Sequence, residues 1–462
     1  MIDSQDVVED VDLLVVGGGK AGKTLAMDLA RAGRRVVMVE RGMIGGTCVN
    51  VACIPTKSLV TSSRLARRAA RAQSLGLSIG ELEVDLHMLR SHKDGVVADM
   101  VALNRQQFLD SGMDFVLGTA RFVAERTVAI DLNDGGRRMV RGADVVINTG
   151  TVPHMPSVPG LADAAPLNSE TIMDLERIPE RLVVIGGGYV GLEFAHMFAA
   201  FGSKVTVLDR GPRLLPREDA DISGVLAQCL REDGVEVLTG VTVKDVARDE
   251  HAVRLMLKDG RTLLTDAVLA ATGRDPVTSD LGLDAAGVRT DERGFVRVDD
   301  ALATDAPHTW AVGDVAGSPQ FTHVSLDDYR VVKAGITGGT RSTAGRLVPW
   351  NLFTDPELAR VGLTEEQARA TGRDIRVARL PVKGIPRART MRETRGLWKA
   401  VVDRNTEEIL GVSLLGPDSS EVLTVVQTAM WAGLPFTRLR DGIIAHPTMA
   451  EGLNALFTSW GD

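Results

Sequence analysis

One pattern occurs twice in the chain, and it leaves little freedom in how the chain can fold. Val11-Asp-Leu-Leu-Val-Val-Gly-Gly-Gly-Lys-Ala-Gly22 and Leu182-Val-Val-Ile-Gly-Gly-Gly-Tyr-Val-Gly191 each read as a short apolar strand, a glycine turn and the start of a helix. Gly17, Gly19 and Gly22 fit G-x-G-x-x-G, and so do Gly186, Gly188 and Gly191. One glycine makes the tight turn, one lets the backbone approach a pyrophosphate, and the third lets helix and strand pack closely. The pyrophosphate then rests on unpaired N–H groups at the helix N-terminus, where the helix dipole favours negative charge. A second predicted strand follows each helix and ends in an acid placed to accept hydrogen bonds from an adenosine ribose. These strands are Arg35 to Val39 before Glu40 and Lys204 to Leu208 before Asp209. First glycine and acid are 23 positions apart in both copies, and the copies are offset by 169 residues. Such a repeat says more than either half alone. Two dinucleotides in one chain imply a cofactor that stays and one that comes and goes, which is hydride chemistry.

Between the copies lies Gly45-Gly-Thr-Cys-Val-Asn-Val-Ala-Cys-Ile-Pro-Thr-Lys57. Cys48 and Cys53 cannot fill a tetrahedral zinc site alone, and no C-x-x-C or histidine partner lies nearby, so no metal site is expected. Two readings remain, a pair of buried thiols and a redox-active disulfide. The second explains more: thiols at the start of one helix, with Lys57 one turn after Cys53, sit where thiolate is favoured. One sulfur must attack a substrate while the other faces an electron donor. A two-electron intermediary is then required, and a flavin suits it. Cys229, in the amphipathic segment from Asp219 to Asp233, reads as a small core residue.

Composition narrows the class. The formal charge of −8 disfavours a nucleic-acid groove. The 44% hydrophobic and 25% charged content is that of a globular chain. No apolar run is long enough to span a membrane. The acidic segment Met1 to Asp12 shows no secretion signal, so the cytoplasm is the expected location. With three cysteines in the chain, a disulfide scaffold is not expected.

The stretch Gly-Gly-Thr-Cys-x-Asn-x-x-Cys-Ile-Pro-Thr-Lys closely resembles the class I pyridine nucleotide–disulfide oxidoreductases, the group of glutathione reductase, dihydrolipoamide dehydrogenase and mercuric reductase. Four further motifs, in order, are similar to that family: Ala271-Thr-Gly-Arg-Asp-Pro276, Thr309-Trp-Ala-Val-Gly-Asp314, Phe353-Thr-Asp-Pro-Glu357 and His446-Pro-Thr-Met-Ala-Glu451. The resemblance implies an α/β protein with two Rossmann-like dinucleotide-binding domains, the first discontinuous, and an α+β dimerisation domain. The implied boundaries are 1–150 and 273–346 for the FAD domain, 151–272 for the NAD(P)H domain and 347–462 for dimerisation. It implies that Gly17, Gly19, Gly22, Glu40, Thr47, Lys57 and Asp314 hold FAD. Gly186, Gly188, Gly191, Asp209 and Arg210 would hold NADH or NADPH, with Tyr189 as a gate over the flavin and Glu193 as partner of Lys57. Cys53 would face the flavin and Cys48 exchange with substrate. His446, oriented by Glu451, would be the general base and reach the cysteines of a second subunit, making the enzyme a homodimer.

The coenzyme stays open. Asp209 suits a 2′,3′-diol, whereas Arg210, Arg213 and Arg217 look like a phosphate-binding side. Ile385-Pro-Arg387, Glu393-Thr-Arg-Gly396 and Phe321-Thr-His-Val-Ser-Leu-Asp-Asp328 resemble the mercuric reductase-like and reactive-chlorine-resistance branch. Ser459-Trp460-Gly-Asp462 carries no second cysteine pair, so no relay for mercury is expected. Ala52 stands where the family usually has glycine. The expected activity is transfer of electrons from NAD(P)H through FAD and Cys48–Cys53 to a small disulfide or an oxidant such as a hypohalous or hypothiocyanous acid. The alternatives are a dihydrolipoamide dehydrogenase and, in another class, an FAD-binding redox sensor or scaffold. Arg64, Arg67, Arg68 and Arg71, at i, i+3, i+4 and i+7, read as a solvated helix face. The segment from Asn148 to Gly160, dense in Pro and Gly, reads as a domain connection.

Overall fold

The computed structural model describes residues 7–80 and 82–461; the start of the acidic amino-terminal segment, residues 1–6, lies outside them, as does Asp462. The chain divides into two compact units, one formed by 1–58, 90–154 and 273–346, the other by 59–89, 155–272 and 347–462.

In the first unit the apolar run Val8–Val16 is a central parallel strand, paired with Val36–Glu40 on one side and Arg137–Ile147 on the other. Asp114–Ala124 and Thr309–Ala311 extend the parallel pairing outward. Strands buried on both faces read as continuous Val/Leu/Ile runs, which is why Leu13, Leu14, Val15, Val145, Val146 and Ile147 are all fully buried. The far half of Asp114–Ala124 turns back through Thr127–Leu132 as an antiparallel ribbon. The helix Lys20–Arg31 packs on one face through Leu25, Ala26 and Leu29. Thr151–Pro153 pairs antiparallel with Arg274–Pro276, so the proline-rich connection is tied to the returning chain where it begins.

In the second unit Arg181–Ile185 plays the central part, in the parallel order Ala267–Ala270, Arg181–Ile185, Lys204–Asp209, Glu236–Thr239. Val243–Arg248, Val253–Leu257 and Thr262–Thr265 form an antiparallel meander. The carboxy-terminal part is a five-stranded antiparallel sheet, Trp350–Leu352, Glu357–Gly362, Ile409–Gly416, Leu397–Asp403 and Ile375–Pro381, covered by the helix Ser419–Trp431. The whole is an α/β fold. Cys229 lies buried in the helix Ala220–Glu232, where burial pushes its thiol up to about 11, so it is a core thiol.

The arginine stripe departs from expectation. The helix Cys53–Ala70 carries Arg64 and Arg67, and only Arg68 of the four stands largely in solvent, at 63% side-chain exposure. Arg67 is 8% exposed, 3.0 Å from Asp233, and donates to the His196 carbonyl at 2.9 Å. Arg64 pairs with Glu357 at 2.6 Å, and Arg71 with Asp233 at 2.9 Å. Arg395 reaches the same carboxylate at 2.9 Å, and the buried His196 ring meets it at 2.9 Å through Nε2. The Asp355 N–H donates to His196 Nδ1 at 3.2 Å, so the proton of this neutral ring sits on Nε2. Desolvation lowers the His196 pKa, which keeps it neutral. Periodicity placed the arginines on one face correctly, but that face is interior because acids distant in sequence meet it.

Candidate active site

The two glycine turns are built alike. Gly17 has φ +102°, and a Cβ there would lie 2.4 Å from the Asn148 carbonyl oxygen. Gly186 has φ +120°, and a Cβ there would lie 2.3 Å from the Ala271 carbonyl oxygen. Each turn therefore nests against the parallel strand beside it, and only glycine fits both the angle and the space. Each is braced by the acid at the end of the second strand. Gly18 donates its N–H to Glu40 Oε2 at 2.8 Å, and Gly187 to Asp209 Oδ2 at 2.7 Å. The second oxygen of each acid holds the following loop: Gly42 and Met43 donate to Glu40 Oε1 at 2.9 and 3.0 Å, and Gly211 to Asp209 Oδ1 at 2.6 Å. Gly19 and Gly188 precede the helices Lys20–Arg31 and Tyr189–Ala200 with no side chain capping either N-terminus. Those bare N–H groups are what a pyrophosphate uses.

Asn148 was not singled out by sequence reasoning, and it holds the first turn together. Its Oδ1 accepts from Gly22 N–H at 2.9 Å and its Nδ2 donates to the Val312 carbonyl at 2.9 Å. It stands at the end of an apolar strand and the start of a Pro/Gly stretch, a place that reads as a loop. Leucine at position 148 should lower the melting temperature and the flavin retained on purification, since each orphaned buried group costs ~1–3 kcal/mol; thermal unfolding and the flavin-to-protein absorbance ratio would measure both.

Asp314 follows Gly313, whose N–H donates to the fully buried Asp328 at 2.8 Å. Thr151 donates its hydroxyl to Asp314 Oδ2 at 2.7 Å and accepts from Arg274 Nε at 2.7 Å. Burial raises the Asp314 pKa, and a carboxyl so placed gains from a further hydrogen-bond donor such as a ribityl hydroxyl. The residues of this unit fit a flavin dinucleotide: an uncapped turn for the pyrophosphate, Glu40 for the ribose and Asp314 for the ribityl chain.

Cys48 lies in the short helix Thr47–Asn50, and Cys53 begins the helix Cys53–Ala70, which also carries Lys57. The intervening turn is tied by Asn50, whose Nδ2 donates to the Ile44 and Gly46 carbonyls at 3.0 and 2.9 Å. No disulfide joins the two sulfurs; they are thiols within hydrogen-bonding reach of one another, and Cys53 Sγ lies 3.4 Å from Thr322 Oγ1. The neighbouring Cys53 sulfur and burial push the Cys48 thiol well up. The pair therefore carries one negative charge at most near neutrality.

In the second unit Tyr189 packs its ring on Trp350 at 4.8 Å, and burial raises its phenol pKa. Glu193 is buried and accepts the Phe353 N–H at 3.0 Å. Arg210 and Arg217 are exposed, but Arg213 turns its guanidinium onto the Pro216 and Glu218 carbonyls at 3.1 and 3.4 Å. The three arginines therefore do not form one cluster of unengaged guanidinium groups. His446 Nδ1 meets Glu451 Oε2 at 2.7 Å; Glu451 is 12% exposed and the imidazole 70%. The imidazole is thus held through Nδ1 and otherwise largely exposed. Among the described residues no cluster of His, Cys, Asp and Glu could hold a metal ion, and no helix is long and apolar enough to cross a membrane.

Residues 11–328 match the family described as pyridine nucleotide-disulphide oxidoreductase, and residues 348–456 match the dimerisation domain of that family. Among curated proteins, the probable pyridine nucleotide-disulfide oxidoreductase RclA of Escherichia coli is 42% identical over 96% of this chain and 98% of its own. A mercuric reductase of Streptomyces lividans is 38% identical over 96% of this chain and 94% of its own. The solved structure of the HOCl-induced flavoprotein disulfide reductase RclA from Escherichia coli superposes with a TM-score of 0.89 at 42% identity, covering 97% of this chain and 99% of that one.

Proposed function

Because the chain belongs to the pyridine nucleotide–disulphide oxidoreductase family, we propose that its Cys48–Cys53 pair relays electrons from NAD(P)H to a small disulfide or oxidant acceptor. It is an NAD(P)H-dependent flavoprotein disulfide oxidoreductase with FAD as cofactor. The observation that carries the acceptor reading is the geometry of the thiol pair: two sulfurs in contact, at the start of a helix, able to hold one charge between them.

FAD, when bound, supplies the two-electron transfer between nicotinamide and sulfur. Gly17, Gly19, Gly22, Glu40, Thr47, Lys57 and Asp314 bind and orient it; Gly186, Gly188, Gly191, Asp209 and Arg210 hold the nicotinamide coenzyme, and the family resemblance makes Tyr189 a gate over the flavin and Glu193 the partner of Lys57. Two electrons and one proton open the Cys48–Cys53 disulfide to a thiolate at Cys53 and a thiol at Cys48. With a disulfide acceptor Cys48 attacks one sulfur and the other leaves as a thiol; Cys53 then attacks Cys48 in the mixed disulfide, releasing the second thiol and restoring the Cys48–Cys53 bond. With a hypohalous acid Cys48 takes the halogen as hydroxide leaves, and Cys53 displaces halide to close the same bond. A general base must take the Cys48 proton, and His446 with Glu451 supplies it from a second copy of the chain, so the working unit is a homodimer with a shared site. The large exposure of Ile443 and of Trp431 (65%) in the carboxy-terminal part agrees with a covered face there. The functional segments are 1–150 and 273–346 for FAD, 151–272 for NAD(P)H and 347–462 for dimerisation, and the enzyme works in the cytoplasm.

Of small disulfides and reactive chlorine or hypothiocyanous species, the latter are favoured as acceptors by the likeness to a reductase described as HOCl-induced. The dihydrolipoamide dehydrogenase reading is the weaker. Steady-state NAD(P)H consumption across glutathione disulfide, lipoamide, hypochlorous acid and hypothiocyanous acid decides among them. Turnover with at least one small disulfide or oxidant is expected. Turnover with lipoamide alone would favour the dehydrogenase, and silence with every acceptor would favour a sensor. In the same assay His446→Gln should lower kcat by roughly a hundredfold or more, the usual worth of a positioned acid or base; an unchanged kcat would contradict the dyad.

A further inference from the structure

The carboxylate that braces the second glycine turn also stands where a coenzyme ribose would meet it. Asp209 ends the strand Lys204–Asp209, and backbone engages both of its oxygens. Oδ2 accepts the Gly187 N–H at 2.7 Å and Oδ1 the Gly211 N–H at 2.6 Å. A Cβ on Gly187 would lie 2.8 Å from Oδ2, and one on Gly211 3.0 Å from Oδ1, so the group is packed against bare backbone on two sides. It cannot rotate away without giving up the turn. A carboxylate has about four acceptor positions, and the two N–H groups use two of them. The rest take only donors. The two hydroxyls of a free ribose fit; a 2′-phosphate, which brings acceptors and negative charge, does not. Glu40 is held in the same way, Oε2 by Gly18 and Oε1 by Gly42 and Met43, in the turn assigned to FAD, whose adenosine ribose is a free diol. Three arginines stand on the other side of the balance. Arg213 turns its guanidinium onto the Pro216 and Glu218 carbonyls and would have to release both to meet a phosphate. Arg210 and Arg217 are exposed, so each must be ordered at the moment of binding, whereas the carboxylate is fixed beforehand.

We propose that the chain takes NADH in preference to NADPH, and that Asp209 decides it by accepting from the 2′- and 3′-hydroxyls of the adenosine ribose and repelling a 2′-phosphate. This deepens the reading of the second turn as the coenzyme site and rests on it. The same carboxylate holds the turn and selects the coenzyme. A substitution that relieves the repulsion therefore also loosens the seat of the pyrophosphate, because an amide offers one acceptor oxygen where two N–H groups need two acceptors.

The test uses the flavin-loaded protein. Stopped-flow reduction of the flavin compares NADH with NADPH, and calorimetry compares ADP-ribose with 2′-phospho-ADP-ribose. NADH should be favoured about a hundredfold in the second-order rate of flavin reduction, and ADP-ribose should bind about tenfold tighter or more, as a site built for a hydroxyl does. That binding ratio should shrink as salt rises, because screening relieves a repulsion. A ratio that widens with salt means that the arginines attract the phosphate, and it overturns the proposal. Asp209→Asn should weaken both coenzymes and cut the preference for NADH about tenfold, since it removes a like-charge contact; Arg213→Ala should leave the preference unchanged. A preference that Asp209→Asn does not alter takes the role from that residue. If Asp209→Asn does not fold, the salt dependence decides alone. Equal or faster reduction by NADPH overturns the proposal and leaves the relay standing. A flavin that neither coenzyme reduces would instead remove the reading on which it rests.

Discussion

Cys53→Ser should abolish the long-wavelength absorbance of the reduced protein and lower NAD(P)H-driven turnover by roughly a thousandfold or more, as loss of a nucleophile in a covalent relay does. A serine hydroxyl does not ionise near neutrality, so no charge faces the flavin and no second sulfur is available to close the disulfide. Cys48→Ser should separate the two roles. It keeps a thiolate at position 53, and hence the absorbance, but cannot attack an acceptor, so turnover is lost while the spectrum remains. Stopped-flow spectra and steady-state rates on the two variants check this. If Cys53→Ser retained the band and Cys48→Ser lost it, the two sulfurs would have exchanged roles. The structural basis for the expectation is that Cys53 begins the helix Cys53–Ala70, where the helix N-terminus favours an anion.

The second large effect lies away from the thiols. Asp233→Ala should destabilise the protein by about 3–5 kcal/mol, the cost of breaking a buried ion pair and leaving its partner charge uncompensated. Arg67 and Arg395 both lie within 3.0 Å of this carboxylate, and the buried His196 bonds to it at 2.9 Å. Burial alone would raise the Asp233 pKa; the His196 hydrogen bond and the Arg67 and Arg395 charges outweigh it and bring it down to about 2. A carboxylate whose folded pKa lies below its unfolded value of 3.8 contributes stability that is present above pH ~4 and lost as pH falls toward 2. The neutral His196, with its own pKa lowered, adds to the acid side: its contribution begins to fall once pH drops below ~6.5, where the unfolded imidazole takes a proton and the folded one resists it. Thermal unfolding from pH 7 to pH 3 should therefore show a falling melting temperature in wild type and a flatter acid limb in Asp233→Asn. A variant melting within a degree or two of wild type at pH 7 would contradict the network's role.

The glycine turns were legible because their requirement is local: a positive φ and a close backbone approach leave a pattern in six consecutive residues. The acids Glu40 and Asp209 were legible as well, by their fixed distance from those turns. What the structure adds is that both carboxylates brace the turn itself through Gly18 and Gly187. The cysteine pair was readable from spacing and from elimination of a zinc site, and its family context from motif order. The arginine stripe was not, because its partners Asp233, Asp355, Glu357 and Arg395 come from segments far along the chain. Periodicity shows which residues share a face and cannot show what meets that face. Lys23 and Asn148 escaped for the same reason. A lysine on a helix and an asparagine before a Pro/Gly stretch are ordinary on a surface, and only the distant Asn104, Gly45 and Val312 make them interior.

The relay itself is tested most directly by counting electrons against thiols. The flavin-loaded protein, freed of oxygen, is titrated with NAD(P)H, and thiols are assayed under denaturing conditions after each addition. The first equivalent should reveal two new thiols per chain while the oxidised flavin absorbance is largely retained, and in Cys48→Ser, where the Cys53 thiol is present from the start, no new thiol should appear. Bleaching of the flavin by the first equivalent with no new thiols would contradict the account.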